Sequence, residues 1–138
     1  MSDLSELIAR IEAASGAQYV LDCAIWDAIY PGERAERFAK LTAPGKPYHG
    51  RLGPADVDGY VQPLRAFTAS IDAALTLVPD GYAVDMTIGR YWPNRARVLH
   101  VYQDGDRWFH RGSDPAICAN AATPALALCA AALKARNP

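Results

Sequence analysis

Five arginines, Arg90, Arg95, Arg97, Arg107 and Arg111, lie among Tyr91, Trp92, Tyr102, Trp108 and Phe109. Guanidinium groups pair with phosphate oxygens, and aromatic rings stack on bases or fill interface pockets. Arg95, Arg97, Arg107 and Arg111 are therefore the candidate anion-binding residues, for a nucleic acid or a nucleotide. A second group, Tyr48, His49, Arg51 and Tyr60, combines rigid aromatics with polar tips, the composition of protein interfaces. Together with Tyr91 and Trp92 it forms the candidate partner-binding surface.

Catalytic chemistry has little to work with. Ser2, Ser5, Ser15, Ser70 and Ser113 all lie outside a GxSxG elbow, and no GxGxxG or GxxxxGK[ST] phosphate loop occurs. Gly45-Lys46 is followed by proline, without the upstream glycine or the hydroxyl that a phosphate loop uses. The three histidines, His49, His100 and His110, have no Asp, Glu or Cys at metal-ligand spacing. No catalytic residue, cofactor or metal is assigned, and the chain is expected to be non-enzymatic. A small hydrolase or nuclease stays open as a weaker alternative, with Asp56, Asp58 and Asp85 as its acids.

The totals narrow the class. At 138 residues with 51% apolar and 21% charged side chains, the chain is a soluble-type single domain. A net charge of −1 argues against a protein built mainly to neutralise phosphates, although it permits a local basic patch. No apolar run reaches membrane-spanning length, and Met1-Ser2-Asp3 lacks the basic start of a signal peptide. Cys23, Cys118 and Cys129 cannot all pair internally, which fits free thiols in a reducing cytoplasm.

The elements that must position these residues follow from periodicity. Leu4, Leu7, Ile8 and Ile11 mark an amphipathic helix that stops at Ser15-Gly16. A second helix is expected over 19–29, with Leu21, Ile25, Ala28 and Ile29 inward, and a short third over 33–41. Residues 31–63 hold five of the ten prolines and five of the ten glycines, so 43–66 reads as a connection. Thr68 is expected to cap a helix over 69–78. Alternation over 82–88 predicts a strand with one buried face. Strands over 95–103 and 107–111 follow, with Asp104-Gly105 as a two-residue hairpin turn. That turn pairs Tyr102 with Arg107 and His100 with Phe109. It sends Arg95 and Arg97 to one face of the sheet and Arg107 and Arg111 to the other. Thr123-Pro124 then opens a terminal helix with no charge before Lys134, which must be buried on most of its surface.

The fold class is therefore α+β. N-terminal helices (1–42) and the Pro/Gly-rich connection (43–66) precede a helix, a three-stranded antiparallel sheet and a helix (67–138), all in one domain. The sheet carries more apolar surface than one helix layer covers. Self-association into a homo-oligomer would solve this, and so would the N-terminal helices, at lower entropic cost.

Three segments resemble the phage ABA-sandwich domain family, small proteins of phages and prophages. They are Phe67-Thr68-Ala69-Ser70-Ile71-Asp72-Ala73-Ala74, Val78-Pro79-Asp80-Gly81-Tyr82, and Ala121-Ala122-Thr123-Pro124-Ala125-Leu126-Ala127-Leu128-Cys129-Ala130-Ala131-Ala132-Leu133. The early Leu21-Asp22-Cys23-Ala24-Ile25 is similar too. The resemblance covers about half of the chain. It implies helix/sheet/helix layering and a phage or prophage origin, and it brings no catalytic residues. The functional expectation is an accessory protein of the bacterial host cytoplasm that acts by binding a host or phage protein. Antagonism of a host antiviral defence, an anti-CRISPR role included, is the form this would take. A nucleic-acid or nucleotide binder is the alternative.

Overall fold

The computed structural model describes residues 4–33, 36, 66–90, 93–110 and 116–137. Helix α1 spans Leu4–Ala13 and buries Leu7, Ile8 and Ile11, three of the four positions its spacing marked. Helix α2 spans Tyr19–Ile29 and buries Leu21 and Ile25, with Asp22 and Trp26 buried beside them. Most of the expected third helix and the 43–65 part of the connection lie outside the described residues.

The role of Thr68 differs from the expected cap. Its hydroxyl donates to Asp22 Oδ1 at 2.8 Å, and its backbone N–H donates to the same oxygen at 2.9 Å. It also accepts from the N–H of Gln18 at 3.0 Å. Thr68 and Asp22 are only 1% and 4% exposed. A carboxylate taken out of water demands donors, and Thr68 supplies two of them across the fold. Capping passes to Ser70, whose Oγ accepts from Ala73 N–H at 3.2 Å. Helix α3 is accordingly short, Ile71–Leu75.

The strands are β1 (Tyr82–Thr87), β2 (Asn94–Asp104), β3 (Arg107–His110) and β4 (Ile117–Ala121). They form an antiparallel sheet in the order β1-β2-β3 flanked by helices, and the short β4, not foreseen from the sequence, also pairs with β2. In β1, Tyr82, Val84 and Met86 are half-buried while Ala83, Asp85 and Thr87 are exposed, the alternation its sequence carries.

The hairpin turn is corrected by one residue, which moves every cross-strand partner by two. Asp104 pairs with Arg107, Gln103 with Trp108, Tyr102 with Phe109 and Val101 with His110, so the two-residue turn is Gly105-Asp106. Gly105 has φ +65°, and no other type of residue among those described has a positive φ. A turn with its positive φ at the first central position takes glycine there without steric cost, and that places Asp104 in the strand. The slip preserves parity: Arg95 and Arg97 still face one way and Arg107 the other.

Helix α4 (Pro124–Arg136) is the centre of the body. Thr123 Oγ1 accepts from Leu126 N–H at 3.2 Å, and Pro124 opens the first turn. All nine residues from Ala125 to Leu133 are buried. The helix packs on β2 and β4 and against α1 and α3, so it is covered from several sides. Alanines let these neighbours approach closely, while Leu126, Leu128 and Leu133 fill the gaps at about 1.5–3 kcal/mol each. The last turn is tied on three sides. Lys134 Nζ donates to Glu12 Oε2 at 3.2 Å and to Cys118 O at 3.0 Å. Arg136 Nε donates to Leu77 O at 2.6 Å, and Asn137 Nδ2 reaches Ser5 Oγ at 3.2 Å.

Candidate functional site

One sheet face belongs to the core: Ala96, Val98 and Ala119 are buried in it, with Val84, Met86 and Ile117 packed alongside. Strand alternation sends the intervening residues the other way. Ala83, Asp85, Thr87, Arg95, Arg97 and Asn120 are all exposed. Pairing across three strands sets them in rows: Thr87 opposite Arg95 opposite Asn120, and Asp85 opposite Arg97 opposite Cys118.

The two arginines of this face differ in state. Arg97 Nε donates to Asp85 Oδ2 at 3.2 Å, and its Nη2 makes a shorter contact with the same oxygen. That hydrogen bond, and then the carboxylate's charge, hold the guanidinium above its ordinary value. Arg95 has no ion pair or side-chain hydrogen bond among the described residues. It lines an open cleft of about 240 Å³ together with Thr87, Pro93 and Asn120.

Past the cover of α4, the β2–β3 hairpin carries a second feature. Tyr102 and Phe109, a cross-strand pair, stack with centroids 5.6 Å apart at 27°, and are 40% and 38% exposed. Tyr82 meets His100 edge-on at 5.1 Å on the same face. Arg107 is exposed next to the turn, opposite Asp104. Of the candidate anion-binding residues, then, Arg95 and Arg97 come together, Arg107 stands apart, and Arg111 lies outside the described residues. Tyr48, His49, Arg51, Tyr60, Tyr91 and Trp92, the candidate partner-binding set, also lie outside them. Asp56 and Asp58 do as well.

Asn120 and Thr87 were not singled out from the sequence. The signal for Asn120 was present: Ile117, Ala119 and Ala121 alternate with Cys118 and Asn120, a short period-two run. The buried cysteine of α4 is no nucleophile. Cys129 is fully buried, its Sγ donates to Phe67 O at 3.1 Å, and burial pushes its thiol up to about 12, with the Asp22 charge adding to this. Among the described residues no group of three His, Cys, Asp or Glu side chains is placed to hold a metal ion. No helix among them is long and apolar enough to cross a membrane.

No protein-family model, curated protein or solved structure matches the chain.

Proposed function

We propose that the chain is a phage- or prophage-encoded accessory protein that binds a protein partner in the bacterial cytoplasm, without turnover. A host protein, including a component of antiviral defence, is the target this reading favours. The observation that carries the binding claim is the exposed, stacked Tyr102–Phe109 pair on the projecting hairpin. Two large rings held in one geometry offer contact area at little entropic cost, and tyrosine is enriched among energetically dominant interface residues. Asp104, Asp106 and Arg107 around the turn would supply a polar rim. The phage origin rests on the resemblance carried by residues 67–82 and 121–133, and the host target on that origin.

An extended nucleic-acid track receives less support. It would need the arginines on one surface, whereas Arg95 and Arg97 occupy the face opposite Arg107, and Arg97 is held by Asp85. The test is affinity capture from infected host lysate with the wild-type chain and the Y102A/F109A double variant. Specific proteins retained by the wild type after nuclease treatment, and lost with the variant, support the reading. Captured material that disappears with nuclease, or is the same for both chains, contradicts it.

A further inference from the structure

Two neighbouring rows on the open sheet face have the same backbone geometry and different charge. In one, Asp85 neutralises Arg97 across the β1–β2 pair. In the next, Arg95 stands between Thr87 and Asn120, neither of which can neutralise it. Residues directly opposite each other across antiparallel strands have Cβ atoms about 4.5–5.5 Å apart. Arg95, Asn120 and Thr87 therefore stand in one row across β2 and line one cleft.

The cleft is open, has a volume of about 240 Å³, and is lined by Pro93 as well. Asn94, next to Arg95 in β2, belongs by strand alternation to the other face and donates to Ala122 O at 3.0 Å. Asp85, on the same face of β1 two residues from Thr87, is the acid whose charge would repel an anion. Its pairing with Arg97 removes most of that repulsion.

We infer that Thr87, Arg95 and Asn120 form a phosphate-binding site. A guanidinium binds two oxygens of one phosphate in a fork, and the flanking amide and hydroxyl can each donate to a further oxygen. A carboxylate, with two oxygens in a plane, would leave part of this three-strand set without an acceptor. The cleft is wider than one phosphate, so the natural ligand is a phosphate ester whose organic part lies along the sheet. The site is separate from the Tyr102–Phe109 contact, and neither depends on the other.

The test is a titration of the full chain, labelled with ¹⁵N, with inorganic phosphate at constant ionic strength, following the Arg95 Nε and Asn120 Nδ2 side-chain signals. Saturable shifts of both, absent with chloride or acetate, are expected. Arg95→Gln should weaken phosphate binding by about tenfold or more, the loss expected for a charge-assisted fork. Arg95→Lys should recover only part of it, because the fork is lost while the charge remains. Arg10→Gln, an exposed change on α1, should leave the affinity unchanged. Arg95 is exposed, so its variants keep the fold, and Asn120→Ala provides an independent weakening of a few fold. Equal shifts with chloride, or an affinity unaltered by both Arg95→Gln and Asn120→Ala, would overturn the assignment. A nucleoside monophosphate and a short single-stranded DNA then separate the two sources of phosphate. Tighter binding of the monophosphate supports the cleft as drawn, and binding of the DNA alone overturns it.

Discussion

Cys129 makes the packing of α4 measurable through pH. Its thiol is fully buried and bonded to Phe67 O, and burial raises it from 9.0 to about 12. The folded chain thus keeps this proton over a range in which the unfolded chain releases it. Below pH 9 both states hold the proton, and Cys129 contributes no pH dependence. Above pH 9 the unfolded state binds fewer protons, so stability falls by about 1.4 kcal/mol per pH unit until the folded thiol itself ionises near 12. At pH 10.5 the loss reaches about 2 kcal/mol. Tyrosines and lysines titrate over the same range, so the informative quantity is a difference. Urea unfolding of the wild type and Cys129→Ala, both under reducing conditions, should show the variant about 1–2 kcal/mol less stable at pH 7. By pH 10.5 that gap should close or reverse, because alanine has no proton to lose. A gap that stays constant from pH 7 to 10.5 would refute the burial of this thiol, and with it the packing of the middle of α4.

Two further substitutions test other parts of the body. Thr68→Val should cost about 2–4 kcal/mol in urea unfolding, since it strips a donor from the buried Asp22 and an acceptor from Gln18 N–H; Thr68→Ser should recover most of this, and an unchanged midpoint for Thr68→Val would contradict the lock. Ala130→Leu, in a fully buried position of α4, should cost about 1–3 kcal/mol through overpacking, read by the same unfolding curves, whereas a neutral effect would mean open space around the helix.

Much of the fold was legible because its signals are local. The spacing of Leu7, Ile8 and Ile11 marks α1, the alternation from Tyr82 marks β1, and Thr123-Pro124 followed by uncharged residues marks α4. Thr68 and Ser70 are both competent caps, and only the distant Asp22, brought close by the fold, assigns Thr68 elsewhere. The hairpin turn was misplaced because both Asp104-Gly105 and Gly105-Asp106 are good turn dipeptides. The backbone favours the one that puts glycine at the positive φ. Strand β4 is short and alanine-rich, and its alternation merged with the helix that follows, so Asn120 was overlooked. The separation of Arg95 and Arg97 from Arg107 could be read from strand parity alone. That Arg97 is paired, while Arg95 has no such partner among the described residues, depends on cross-strand register with β1, which a sequence does not print.

The Arg95 row is open because α4 takes the other face of the sheet, and Tyr102 and Phe109 are exposed on α4's own face because the helix does not reach β3. Amide hydrogen exchange on the intact chain tests that asymmetry most directly. Residues 128–133 of α4 should exchange only through global unfolding, more slowly than every amide of the 102–109 hairpin. Exchange in α4 as fast as in the hairpin would contradict a buried central helix, and the open face would lose its structural basis.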